Sequence, residues 1–177
     1  MIIPPAKNHK NKRIQPVNLR RILMEKLSLG DLAPDFSLPD HEGNLIKLSD
    51  LYQHHHVLLV FNIGFAWPHC TNHMAQLRHD YDQFSSLNTK ILVMVPNGPF
   101  MINRYLKKNP TPYTILMDKG SQVAKTFDQE KRFFSLGTPT VILVEQGGKI
   151  AFTHYADTLI EEPGNDEPLA ILSEMNL

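Results

Sequence analysis

Four continuous apolar runs, separated by segments with helical spacing, constrain the fold of this 177-residue chain most strongly. They are rich in Val, Ile and Leu and occupy residues 57–62, 90–95, 113–117 and 140–145. Continuous rather than alternating apolar sequence is typical of strands that are buried on both faces. Strands that alternate with helices predict an α/β domain, in which helices flank a parallel or mixed central β-sheet.

Helical patterns lie between and after these runs, over residues 70–85, 99–108, 121–127 and 168–175. Turn-forming residues at 41–44 join two short alternating segments, which predicts an N-terminal β-hairpin. Ser49 then follows as the predicted cap of a short helical turn. A second hairpin is predicted at the tight turn 146–149, which joins the last apolar run to residues 150–154.

The start of the chain differs in charge from the rest. Its first 29 residues hold seven Lys or Arg and one acid, Glu25, whereas the formal net charge of the whole chain is zero. We interpret residues 1–28 as a basic extension, with an amphipathic helix allowed over 17–28, and residues 29–177 as one domain. A targeting peptide and a polyanion-binding arm are the alternatives. The zero net charge and the lack of an apolar run of ~20 residues favour neither a nucleic-acid nor a membrane partner.

Cys70 is the only cysteine, which excludes a disulfide within the chain, a Cys-x-x-Cys redox pair and a multi-cysteine zinc site. It lies where the first apolar run is followed by a helical pattern. Amide groups and the dipole of a first helical turn favour a thiolate, so we expect an accessible thiol of lowered pKa. The alternative is a small buried hydrophobic residue. A reducing cytoplasmic location is the default expectation for such a chain.

Three motifs precede Cys70 in a specific order: Leu-Gly-Asp-Leu-Ala-Pro-Asp-Phe-Ser-Leu at 29–38, Asp40-x-x-Gly43, and Leu-Ser-Asp at 48–50. Together they resemble the opening of the alkyl hydroperoxide reductase / thiol-specific antioxidant family, the peroxiredoxins. The resemblance covers residues 29–176 and continues around Cys70 and through 114–118, 123–127 and 137–148.

The resemblance implies a thioredoxin-like fold and a thiol-dependent oxidoreductase. Cys70 would be the catalytic nucleophile of an antioxidant peroxidase, which reduces a hydroperoxide and becomes a sulfenic acid. An external thiol of the thioredoxin or glutathione type would regenerate it, because the chain has no second cysteine. No cofactor or metal is implied, and a homodimer is one expected assembly.

The chain departs from the family pocket, which reads Pro-x-x-x-Thr-x-x-Cys with a Glu three residues later and a distant Arg. Those four positions hold Ile63, Trp67, His73 and Thr138. A hydroxyl and a guanidinium that hydrogen-bond the peroxide are thereby lost, and removal of one such donor costs ~10²–10³ in rate. The sequence therefore predicts a weak peroxidase. Its alternative is a redox-inactive thioredoxin-fold binding or scaffold module.

Two further likenesses concern the surroundings of Cys70. Residues 64–77 resemble a divergent subgroup with a Trp-Cys-Pro-aromatic-Cys motif, in which Trp67 replaces the first cysteine while Pro68 and Cys70 remain. A dithiol exchange cycle is excluded because the partner thiol is absent. Thr138-Pro139 resembles the segment of thioredoxin-like proteins that ends in a cis-proline, which implies a cis bond beside Cys70.

Histidines flank the cysteine on both sides. His73 is one helical turn beyond Cys70, so it would hold the thiolate as an ion pair or relay a proton, unless it is a surface residue. We expect the pocket to be shaped by Trp67, Pro68, His69, His73, Thr138 and Pro139. A third function, handling of copper or zinc through Cys70 and these histidines, lacks a clear fourth ligand. The histidines at 54–56 are interpreted as a polar connection, because adjacent strand residues point to opposite faces.

Overall fold

The computed structural model describes residues 27–129, 131–132 and 136–176. The helix predicted over 17–28 lies almost wholly outside this part of the chain, so it stays a prediction. Within the described ranges, none of the helices has the length and apolar character that a membrane span requires.

The described part of the chain alternates strands and helices, as predicted. Its strands are β1 (Ser37–Pro39), β2 (Leu45–Lys47), β3 (His56–Phe61), β4 (Thr89–Val95), β5 (Thr114–Met117), β6 (Lys131–Arg132), β7 (Leu136–Gly137), β8 (Thr140–Val144) and β9 (Ile150–Tyr155). Its helices are α1 (Leu48–Tyr52), α2 (Pro68–His79), α3 (Tyr81–Ser86), α4 (Pro99–Lys108), α5 (Gln122–Thr126) and α6 (Asp166–Met175). The four apolar runs became β3, β4, β5 and β8, with ends shifted by one residue.

The central sheet has five strands in the order β5-β4-β3-β8-β9. The β3, β4 and β5 strands are parallel to one another, whereas β8 and β9 are antiparallel to their neighbours, so the sheet is mixed. The predicted hairpins are present as β1–β2 and β8–β9. β3 lies in the middle because it is apolar on both faces, and five of its six residues are buried.

Two apolar layers cover the two faces of the sheet. Leu58 and Val60 of β3 pack with buried residues of four helices, which are Met74, Leu77, Phe84, Ile102 and Leu172. The alternate residues of β3 face the other layer, which includes Phe36, Leu48, Ala124 and Phe127. The first layer packs α2, the helix that contains Cys70, against the sheet and so fixes its position.

Two local predictions are wrong, and in both cases a distant side chain is the reason. The helix predicted over 70–85 is two helices that separate at Asp80, whose carboxylate accepts a hydrogen bond from Asn165 Nδ2 at 2.7 Å. Ser49 does not cap α1, which begins at Leu48. Its backbone N–H donates instead to Asp35 Oδ1 at 2.9 Å.

Asp118 caps α5 from the end of β5. Its side chain is 3% exposed and accepts the backbone N–H groups of Gln122 (2.8 Å), Val123 (3.1 Å) and Ala124 (2.8 Å). Asp118→Ala leaves these donors without that acceptor, so we expect urea denaturation at pH 7 to show a loss of about 2–3 kcal/mol in the free energy of unfolding. An exposed control, Glu174→Ala, should change it by less than about 0.5 kcal/mol. Equal losses in both variants would contradict the capping role.

Candidate active site

Cys70 is the third residue of α2, which begins at Pro68 after Trp67 as its N-cap. Proline suits the first position of a helix because the missing N–H would have no partner there. The backbone N–H groups of Ile63 and Gly64, in the connection from β3, donate hydrogen bonds to the Cys70 sulfur. The predicted place of the thiol, at a strand-to-helix junction and in a first helical turn, is therefore correct.

Gly64 gives this connection its shape. Its φ of 124° lies in the region that favours glycine, and a Cβ there would meet Asn97 Oδ1 at 3.1 Å. Asn97 Oδ1 in turn accepts the backbone N–H of Phe65 at 3.4 Å, and the Phe65 ring stacks on Tyr105 with its centroid 4.6 Å away. The loop that supplies hydrogen bonds to the sulfur is thus anchored to the region of α4.

The predicted accessibility and lowered pKa of Cys70 are wrong for this conformation. Its side chain is 2% exposed, and this burial raises the pKa of the Cys70 thiol above the ordinary value of 9.0. The hydrogen bonds from Ile63 and Gly64 act to lower the pKa, whereas the negative charge of Glu162 acts to raise it. Burial removes more stabilisation from the thiolate, through loss of hydration, than the two amide hydrogen bonds give back.

The connection from β9 to α6, residues 156–165, lies against α2 and is fastened to it by two side chains. Glu162 Oε1 accepts hydrogen bonds from His69 Nδ1 at 2.9 Å and from Asn72 Nδ2 at 3.0 Å. These bonds hold the pKa of Glu162 below its ordinary value. Three residues later Asn165 contacts α2 as well, so this segment, which we call the clasp, covers the helix face next to Cys70.

Glu162 is a site residue that the sequence does not reveal. It lies 93 residues from His69, and no local pattern indicates the contact. The one signal in the sequence is charge, since residues 150–177 contain six acids and neither Lys nor Arg. That excess indicates a negative surface without indicating which element it meets.

Residues 29–153 match the sequence profile of the AhpC/TSA family. The chain belongs to the AhpC/TSA family. It is 33% identical over 104 residues to Peroxiredoxin Bcp of Escherichia coli K12, and 28% identical over 102 residues to Peroxiredoxin Bcp of Bacillus subtilis. These alignments cover 59% and 58% of this chain. They span slightly less than two thirds of the relatives, 66% and 64% respectively.

Solved structures share the fold. Peroxidoxin BcpB from Mycobacterium tuberculosis superposes with a TM-score of 0.75 at 20% identity, over 84% of this chain and 98% of that protein. The 2-Cys peroxiredoxin of Plasmodium vivax gives 0.72 at 19% identity, over 84% of this chain and 81% of the other. The thioredoxin-like fold that the sequence implied is thereby confirmed.

The proton relay stays a prediction for His73, which is neither cationic nor at the surface. It is 1% exposed, and its Nε2 donates to Asn165 Oδ1 at 3.3 Å. Burial lowers the pKa of His73 to about 4, so the ring is neutral near pH 7. Both the cationic partner of a thiolate and the surface histidine are therefore wrong interpretations. His73 Nδ1 is buried without a hydrogen-bond partner among the described residues.

The other positions expected to shape the pocket lie around the same end of β3. Trp67 is half-buried at the N-cap of α2, and Pro68 is exposed. Thr138 and Pro139 are buried just before β8, which pairs with β3 through Thr140 opposite Phe61. The cis bond implied for Pro139 is wrong, since the described residues contain no cis peptide bond. A trans bond is the intrinsic preference before proline.

The histidines at 54–56 are polar contacts of the connection before β3. His55 Nδ1 lies 2.7 Å from Asn88 Oδ1, and the backbone N–H of Gln146 donates to His56 Nδ1 at 3.1 Å. In the part of the chain that the structure describes, no three His, Cys, Asp or Glu residues cluster in a way that could hold a metal ion.

Proposed function

We propose that this AhpC/TSA family member is a one-cysteine thiol peroxidase, in which Cys70 reduces hydroperoxides. The observation that carries the proposal is the sulfur of Cys70, placed in the first turn of α2 and bonded by the N–H groups of Ile63 and Gly64. Such donors stabilise a thiolate and the negative charge that develops during displacement. Trp67, Pro68, His69, Thr138 and Pro139 would shape the approach to this sulfur.

The proposed reaction is a displacement at oxygen. The Cys70 thiol first loses its proton, and the thiolate attacks the terminal oxygen of the hydroperoxide. An S–O bond forms, the O–O bond breaks, and the electron pair leaves on the alkoxide, which takes up a proton to become the alcohol. Sulfur is oxidised by two electrons and Cys70 becomes a sulfenic acid.

An external thiol would complete the cycle. It attacks the sulfenic acid to form a mixed disulfide and water, and a second thiol releases Cys70 in the reduced state. Thioredoxin-type and glutathione-type thiols are the proposed reductants. We also propose a reducing compartment such as the cytoplasm, because regeneration of Cys70 depends on such a thiol pool.

The proposal is tested by treating the protein with one equivalent of hydrogen peroxide and mapping oxidation by mass spectrometry. We expect sulfenic acid at Cys70 before any of the seven methionines is oxidised, and its reversal by added thiol. Cys70→Ser serves as the control and should consume no peroxide. Methionine oxidation that precedes reaction at Cys70 would overturn the proposal and favour the redox-inactive scaffold module.

A further inference from the structure

A carboxylate is fixed beside the candidate active site. Glu162 is held by His69 and Asn72, which flank Cys70 in the first turns of α2. Its side chain is 27% exposed, so it is fastened to the protein while still facing solvent. A charge held in this way cannot swing away from an approaching reactant as a free surface side chain can.

The groups that act most strongly on the charge of Glu162 are two histidines and an asparagine of α2, and no Lys or Arg is among them. From α2 it is faced by His69 and by the neutral His73. On its own segment Glu161 pairs with His154 of β9 at 2.7 Å. Arg78, the one arginine of α2, donates to Tyr105 OH instead.

We propose that Glu162 is a specificity-determining residue that selects against anionic reactants at Cys70. The site would take uncharged hydroperoxides and would be regenerated best by uncharged or cationic thiols. This inference rests on the proposed function and narrows its substrate and its reductant. Like charges brought close together at an exposed site slow a reaction by a small factor, about three- to tenfold, and salt screens the effect.

Thiol alkylation isolates this effect, because Cys70 is the only cysteine and both reagents attack the same thiolate. The rate constants for iodoacetamide, which is neutral, and iodoacetate, which is anionic, are measured at one pH and low salt. Their ratio cancels any change in the fraction of thiolate. We expect Glu162→Gln to lower the ratio of neutral to anionic rate about three- to tenfold. In wild type, 0.5 M salt should lower the ratio in the same direction.

Glu161→Gln is the matched control, since the neighbouring carboxylate contacts His154 and accepts the backbone N–H of Asp157 at 2.8 Å, and it makes no hydrogen bond to the described residues of α2. It should leave the alkylation ratio within about twofold of wild type. Equal acceleration of both reagents in Glu162→Gln would reflect a lowered pKa of Cys70 or an opened clasp, with no selection by charge, and it would overturn the proposal. An equal change of the ratio in both variants would also overturn it, because the effect would belong to the whole acidic segment.

The proposed preference for uncharged or cationic thiols is tested separately, on protein first oxidised at Cys70. Reduction by cysteamine, a cation, should exceed reduction by 3-mercaptopropionate, an anion, and Glu162→Gln should shrink that preference. The alkylation ratio needs no peroxidase activity, so an inactive peroxidase with a Glu162-dependent ratio would refute the proposed function and leave charge selection standing. An active enzyme with an unchanged ratio would refute charge selection alone.

Discussion

Oxidation of Cys70 by hydrogen peroxide should accelerate about tenfold for each pH unit between pH 7 and pH 9. The thiolate is the reactive form, and burial holds the pKa of the Cys70 thiol above 9.0. Below that pKa, each increase of one pH unit therefore multiplies the thiolate fraction about tenfold. The total gain over the two units should be about 100-fold.

Stopped-flow fluorescence can measure this profile, because Trp67 is the only tryptophan and sits at the N-cap of the helix that holds Cys70. Cys70→Ser should show no peroxide-dependent phase at any pH. A rate that levels off below pH 8 would contradict the prediction, since it would require a thiolate already formed near neutrality. Such a plateau would restore the lowered pKa that the sequence alone suggests.

His73 should make the protein lose stability in mild acid. Its pKa is about 4 when folded and near the ordinary 6.5 when unfolded, so the unfolded chain binds more protons between these values. The contribution of His73 to stability is therefore complete above pH 6.5 and is lost as the pH falls towards 4. We expect the free energy of unfolding to decrease by about 2 kcal/mol between pH 6.5 and pH 4.5 from this group.

Urea denaturation across that pH range, compared between variants, tests the assignment. His73→Gln should flatten the pH dependence, whereas the exposed His54→Gln should keep it. The carboxyls of Asp80 and Glu162, whose pKa values are lowered in the folded protein, also begin to lose their contribution near pH 4.5, so the effect of His73 is taken from the difference between the variants. An unchanged slope in His73→Gln would show that another group causes the acid sensitivity.

The sequence predicted the fold well where the information is local. Continuous apolar runs located β3, β4, β5 and β8 to within one residue, because burial on both faces imposes its composition directly on each strand. The failures came from contacts between distant residues. The break at Asp80 depends on Asn165, which lies 85 residues later, and the misassigned cap at Ser49 depends on Asp35.

The candidate site also has features that local sequence predicts and features that depend on distant packing. The place of Cys70 at the start of a helix follows from neighbouring residues, so it was predictable. Its burial, the neutral state of His73 and the contact of Glu162 with α2 arise only when a segment 90 or more residues away packs on the helix. Residue types near the cysteine gave the wrong sign for the pKa shift, since desolvation is a property of the whole packing.

The hydrogen bonds to the Cys70 sulfur come from the main chain, at Ile63 and Gly64. Mutation of a side chain does not delete a backbone amide, so most substitutions in the neighbouring residues should leave these two donors in place. Gly64 is the exception, because its φ of 124° favours glycine and any side chain there would strain the backbone that carries one of the donors.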